Sequence, residues 1–237
     1  MIASFLHNFI FIKTRKTAGT TVELVLAPLC GPDDVVSPLG WSEEKSRSKE
    51  GMVCRNFLRD PQAEAQVREG LASSSRKMQA QARTLLRNAP FYSHMTATEM
   101  RDLLPAEFWP RAFKFTVERH PYEKVVSRAY FRYDESRHGT FADFLDFQVR
   151  RRTYSDFESY SIGGDVVIDE FLRQEKLEED LKRLARRLDL RIPEALPQSK
   201  SKRRVDRRPA REILSEEQKA IVRDVCRREF ELLGYEP

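Results

Sequence analysis

The run Lys16-Thr17-Ala18-Gly19-Thr20-Thr21 places a cation, a glycine and three hydroxyls within six consecutive residues. The apolar Phe9-Ile10-Phe11-Ile12 precedes it, and Val22-Glu23-Leu24-Val25-Leu26-Ala27 follows it, reading as a helix stopped by Pro28. Strand, small-residue turn and helix together suit an anion. Gly19 permits close backbone approach, free N–H groups at the helix start point at a phosphate, and the helix dipole favours negative charge. Thr20 and Thr21 add hydroxyl donors, and Lys16 adds a mobile positive charge. The run is not a Walker A loop: Thr14 stands where that motif has its first glycine, and Thr20 stands where it has lysine. Alone, it is also compatible with a helix that merely begins Gly-Thr-Thr.

A second constellation lies a hundred residues on. In Phe115-Thr116-Val117-Glu118-Arg119-His120-Pro121-Tyr122-Glu123-Lys124-Val125-Val126-Ser127, Arg119 leaves a strand end and Ser127 lies two turns into the next helix. A guanidinium fork with a hydroxyl clamps a terminal phosphate through charge-assisted, directional bonds. A surface arginine and an ordinary helix serine account for the segment equally well when it is taken alone.

The elements that must position these residues follow from pattern. Residues 9–12 form a two-faced apolar run, the mark of a strand inside a sheet. Val35–Ser37 is a short second strand, residues 112–117 alternate as a main strand, and residues 166–172 form a late one. Helices are expected over residues 97–104 with Thr96 as N-cap, over 122–133 with Pro121 in the first turn, and after Gly139-Thr140. Further helices run over 177–188 and 215–233, the last with Ser215 and Gln218 as a capping box and Gly234 at its end. Residues 41–88 are polar, with Ser/Arg runs around a Gln/Ala/Arg-rich helix, and read as an inserted or mobile segment of one domain spanning residues 1–237. The order predicts an α/β fold, a central parallel sheet with helices on its faces.

Together the two constellations resemble the PAPS-dependent sulfotransferases (PAPS is 3′-phosphoadenosine-5′-phosphosulfate), in particular the carbohydrate group that includes the heparan 2-O-sulfotransferases and bacterial relatives. Lys16-Thr17-Ala18-Gly19-Thr20-Thr21 is similar to the loop that binds the 5′-phosphosulfate there, and Arg119-x-Pro121 with Ser127 to the segment that holds the 3′-phosphate. Arg15 stands where many relatives have proline. Phe171–Leu181 and Phe230–Tyr235 extend the likeness. The resemblance implies a P-loop-type nucleotide-binding fold and transfer of a sulfuryl group from PAPS to a hydroxyl, of a carbohydrate for preference. It also implies donor contacts from Lys16, Thr17, Ala18, Gly19, Thr20, Thr21, Arg119 and Ser127, without a metal. The basic loop Ser199–Arg204 corresponds to a stretch that closes over the nucleotide, which adds Lys200, Lys202 and Arg203, although a Lys/Arg run also serves as a solvated loop.

Such a transfer needs a base within reach of the acceptor hydroxyl. His94 is the choice: it falls between the two motifs, titrates in a suitable range, and related enzymes place a histidine in a comparable segment. Glu23 and His120 compete with it, His120 more plausibly as a structural residue, and His7 and His138 have no supporting context. In this mechanism Lys16 stabilises charge on the leaving oxygen. The acceptor pocket is expected from residues 41–88, the helix after Gly139 and residues 154–160, where Phe141, Phe144, Tyr154, Phe157 and Tyr160 could stack on sugar rings, core packing being the favoured role for most.

Bulk properties set outer bounds. The chain has 237 residues, 40% of them hydrophobic and 33% charged, with a net charge of +5. That is compatible with an anionic ligand and thin for a nucleic-acid-binding protein, which remains one alternative beside an ATP-using P-loop phosphotransferase. Cys30, Cys54 and Cys226 have no metal-type spacing. The apolar N-terminal stretch lacks a basic n-region and a cleavage site and reads as a strand, so a cytoplasmic, bacterial enzyme is expected.

Overall fold

Phe9–Ile12 is buried at every position, as a strand covered on both faces must be. A computed structural model of the chain describes residues 1–49, 51, 53–197 and 204–236. In it, β2 (Phe9–Ile12) pairs in parallel with β4 (Phe113–Glu118), and β4 pairs in parallel with β7 (Glu170–Arg173). β1 (Ile2–Ser4) lies antiparallel to β2 on its other side, and β3 (Val35–Val36) antiparallel to β1 at the edge. The strand order is β3-β1-β2-β4-β7, so the three strands that feed the candidate site are parallel neighbours.

Side chains alternate across this sheet. Phe9, Phe11, Phe115 and Val117 face a core built with Val22, Val25 and Leu26 of α1 (Gly19–Leu26) and Leu181 and Leu184 of α10 (Leu177–Arg187). Ile10 and Ile12 face a second core with Phe57, Val67, Met95 and Met100. Helices thus flank both faces, and the α/β expectation holds with one refinement: the sheet is mostly parallel, with an antiparallel N-terminal margin.

Residues 41–88 contribute α2 (Trp41–Lys49), α3 (Pro61–Ala72) and α4 (Arg76–Arg87). Val67 and Leu71 of α3 are buried in the same core as Met95 and Met100. α5 (Ala97–Leu103) begins at Thr96 with a full capping box to Glu99, and α6 (Phe108–Arg111) leads into β4. α7 (Pro121–Arg132) starts on Pro121, with His120 Nδ1 accepting from the Tyr122 N–H. α8 (Glu135–His138) and α9 (Phe141–Arg150) follow, the latter capped by Thr140.

Two expected elements divide. The run 166–172 splits: β6 (Asp165–Val166) pairs back on β5 (Ser161–Ile162), and only Glu170–Arg173 enters the sheet. Gly163 and Gly164, both at positive φ, form the tight turn of that hairpin, which needs exactly the conformation that glycine adopts without a Cβ penalty. Asp169 then fixes the sheet entry, its Oδ2 accepting from Lys114 N at 2.7 Å. The C-terminal helix breaks at Cys226 into α12 (Glu216–Val225) and α13 (Arg227–Leu233), after the short α11 (Ala210–Ile213). Beyond the break Glu229 is buried and accepts from Ser155 Oγ at 2.5 Å and Asp156 N at 3.2 Å. Ser215 and Gln218 do form a capping box, and Gly234 ends α13 at φ 60. The three cysteines are free and buried.

Candidate active site

The carboxyl ends of the three parallel strands open onto one cleft of about 830 Å³, the position where open α/β sheets bind ligands. β2 delivers Lys13 to Gly19, β4 delivers Arg119, and β7 delivers Gln174. Lys16, Ala18, Gly19, Thr20, His94, Arg119 and Ser127 all line it. The two constellations and the candidate base, far apart in sequence, therefore meet on a single surface. Every charged residue lining the cleft, among the described residues, is basic: besides the lysines and Arg119, these are Arg15, Arg128, Arg132 and Arg204.

The phosphate-loop geometry begins with Thr14, whose hydroxyl bonds the Val117 carbonyl of β4 and lies 2.9 Å from Thr17 Oγ1. Thr17 is fully buried and does not line the cleft; neither does Thr21. Thr17 thus braces the turn from within. Lys16 and Ala18 both sit at positive φ, 64 and 66, a costly conformation for residues with a Cβ. Alternating left-handed residues turn successive N–H groups to one side, as in anion-binding nests. No side chain caps α1, and the N–H groups of Gly19 and Thr20 have no partner among the described residues.

Gly19 has a role beyond backbone approach. A Cβ there would meet Cγ of Lys13 at 2.7 Å, so the glycine makes room for the Lys13 stem across the helix start. Lys13 Nζ then bonds Glu23 Oε2 at 2.5 Å and Ser93 Oγ at 3.1 Å. Glu23 also accepts from the Met1 amino group at 2.6 Å. Burial would raise the Glu23 carboxyl, but the Lys13 and Met1 cations outweigh it and hold it below the ordinary range. Glu23 is buried, paired and outside the cleft, a poor proton acceptor. Lys16 places its ammonium 4.0 Å from the ring centre of Phe131, another cleft residue.

His94 is anchored on both sides. Tyr92 OH bonds Glu99, Met95 is fully buried, and the Thr96 capping box follows. Its Nδ1 lies 3.0 Å from the Lys13 carbonyl oxygen. A carbonyl only accepts, so in the neutral ring Nδ1 carries the proton and Nε2 keeps its lone pair. Burial and then the Lys13 charge lower its pKa to about 4, leaving the ring neutral near pH 7. The other histidines are structural. His120 caps α7, contacts Tyr122, Phe230 and Tyr235, and places Nε2 3.0 Å from Glu236 O. His7 Nε2 lies 3.0 Å from Leu29 O, and His138 stacks on Phe144.

Arg119 and Ser127 are set by α7. Glu123, one turn into that helix, accepts from Arg119 Nη2 at 3.2 Å, Arg204 Nη1 at 2.5 Å and Ala210 N at 2.7 Å. The described end of the basic loop is thereby held beside Arg119, while Lys200, Lys202 and Arg203 lie outside the described residues. Arg119 Nε is buried without a hydrogen-bond partner, an orphan donor at the edge of a basic cleft.

Beneath the loop lies a cluster that the sequence reading did not single out. Asp156 accepts from Arg15 N and Nη1, both at 2.9 Å, and pairs with Lys124 Nζ at 2.9 Å. Lys124 also bonds Glu118, at 3.0 and 2.9 Å. Burial would raise Asp156, but Lys124 and Arg15 outweigh it and hold it low. Burial, with the Asp156 charge, pushes Glu118 up despite Lys124. Asp156 thus ties the loop to the helix that carries Ser127.

For the aromatic residues offered at 141–160, the structure shows core packing, the role favoured for most of them. Phe141, Phe144, Tyr154, Phe157 and Tyr160 do not line the cleft. Phe144, Tyr154, Phe157 and Tyr160 are buried, and Phe141 stacks on Tyr130 at 4.0 Å. Packing of α9 against α7 consumes Phe141 and Phe144, Tyr154 joins the same core, and Tyr160 packs edge-on against Phe157 and Phe171. The cleft is completed by Pro38, Leu39, Gly40, Leu86, Tyr92 and Phe131, so that of the described residues among 41–88 only Leu86 takes part.

No family model matches the chain, and neither a curated protein nor a solved structure matches it.

Proposed function

We propose that the protein transfers the sulfuryl group of PAPS to an acceptor hydroxyl, with a carbohydrate as the preferred acceptor class on the strength of the sequence resemblance. One observation carries the reading. The loop Lys16–Thr20 and the Arg119–Ser127 pair share a cleft whose charged lining, among the described residues, is wholly basic, as suits a nucleotide with a phosphate at each end of its ribose. The uncapped N–H groups of Gly19 and Thr20 suit the 5′-phosphosulfate, and the guanidinium of Arg119 with the hydroxyl of Ser127 suits the 3′-phosphate.

In this reading the acceptor oxygen forms a bond to sulfur as the bond from sulfur to the bridging oxygen breaks. The acceptor proton passes to Nε2 of His94, and adenosine 3′,5′-bisphosphate (PAP) leaves. Lys16 neutralises charge growing on the bridging oxygen, a fixed electrostatic contribution. Lys16→Ala should therefore cut turnover far more than donor affinity. Labelled PAPS with a panel of glycans, lipids and phenols tests the activity. Melting temperatures with PAP, ATP–Mg²⁺ and DNA separate it from a phosphotransferase and from a nucleic-acid binder; stabilisation by ATP–Mg²⁺ and none by PAP removes the proposal.

A further inference from the structure

We propose that Lys13 is a positioning residue that ties His94 to the phosphate loop and leaves the histidine's Nε2 bare for the acceptor. This rests on the reading of His94 as proton acceptor.

Lys13 touches each part of the assembly. It is the residue at which β2 ends and the loop begins, and it lines the cleft while remaining only 5% exposed. A lysine so buried is rare unless it is paired. Its aliphatic stem fills the space left by the missing Gly19 side chain, seating it against the first turn of α1. Its ammonium bridges Glu23 of α1 and Ser93, the neighbour of His94. Its carbonyl accepts the Nδ1–H of His94, which selects the tautomer with a free Nε2. The main chain of this residue orients the ring, and its side chain fastens the ring's own segment to the helix start. Burial, and then the same ammonium, disfavour an imidazolium there, so the base stays unprotonated near neutral pH.

The role of Lys13 is tested by Lys13→Met alone, because Glu23 keeps its bond from the Met1 amino group and is not left an uncompensated buried ion. In Lys13→Met, nitrogen-resolved NMR titration of His94 should show its midpoint rising above about 4, part of the way to the ordinary 6.5, since burial is the larger cause. The acid limb of kcat/KM should move with it. Lys13→Arg, which keeps the charge, should leave the midpoint near that of the unaltered protein. In the unaltered protein at pH 7, the ring nitrogen shifts should report a protonated Nδ1 and a bare Nε2, a measurement that needs no variant to fold. An unmoved midpoint in Lys13→Met overturns the proposal, as does the opposite tautomer in the unaltered protein. Failure of PAP to stabilise the unaltered protein would instead remove the sulfotransferase reading and leave the titration to decide the role of Lys13.

Discussion

At the scale of single residues, the cleft sets two histidine properties against each other. Burial and Lys13 hold the His94 pKa at about 4, whereas the unfolded chain binds that proton near 6.5. Between those values the unfolded state carries more protons, so stability falls as pH drops through 6.5 towards 4 and is fully present above 6.5. The loss from this one group is on the order of 3 kcal/mol. His94→Gln should flatten the stability curve between pH 4 and 6.5 in urea titrations; an unchanged slope would place the shift elsewhere. The same variant should abolish turnover and spare PAP binding. Lys13 escaped the sequence reading because a lysine at a strand end is ordinarily solvated, and only the empty Gly19 side of α1 makes burial possible. Thr17 and Thr21 match a binding pattern, yet neither lines the cleft, because only the fold decides which hydroxyls of such a loop face inward.

At the scale of elements, local signals were readable and the tertiary ties between them were not. The Thr96 and Ser215 caps, Pro121 at the start of α7 and the buried run of β2 are properties of contiguous residues. β1 went unread because three residues, Ile2–Ser4, are too short for a period to register. Asp156 went unread because its partners Arg15 and Lys124 lie far away in the chain. The Thr96 cap follows His94 by two residues, so it supports the base as well as the helix. Thr96→Ala should cost about 1 kcal/mol of stability and lower kcat while donor affinity holds; equal effects on both would detach the cap from the base. Asp156 acts on the other side of the cleft. Asp156→Asn removes the charge that Arg15 and Lys124 share, and leaves Lys124 with Glu118 alone. The variant should weaken PAP binding by releasing the loop from α7, and stability should fall by about 3 kcal/mol, as for a broken buried pair. Calorimetry in the presence and absence of PAP reads both.

At the scale of the whole molecule, three parallel strands end on one surface, so the distance between the two segments proposed to bind phosphate is fixed by the sheet rather than by either loop. β2 and β4 are hydrogen-bonded neighbours, with Ile12 opposite Thr116 and the Thr116 hydroxyl bonded to Ile12 O at 2.7 Å. A ligand that reaches both loops therefore gains from a spacing already set, without ordering either segment anew. This makes a thermodynamic cycle decisive. Removing the 3′-phosphate from the ligand, by comparing PAP with adenosine 5′-phosphate, should cost the unaltered protein on the order of tenfold to a hundredfold in affinity, the worth of a charge-assisted contact. In Arg119→Gln the same change of ligand should cost almost nothing, because the partner of that phosphate is already gone. In Lys16→Ala the full discrimination should survive, since that side chain belongs to the other end of the nucleotide. Raising salt should weaken PAP more than adenosine 5′-phosphate, because more charge is screened. If Arg119→Gln still preferred PAP as strongly as the unaltered protein does, Arg119 would not hold the 3′-phosphate, and the two segments would not grip one nucleotide.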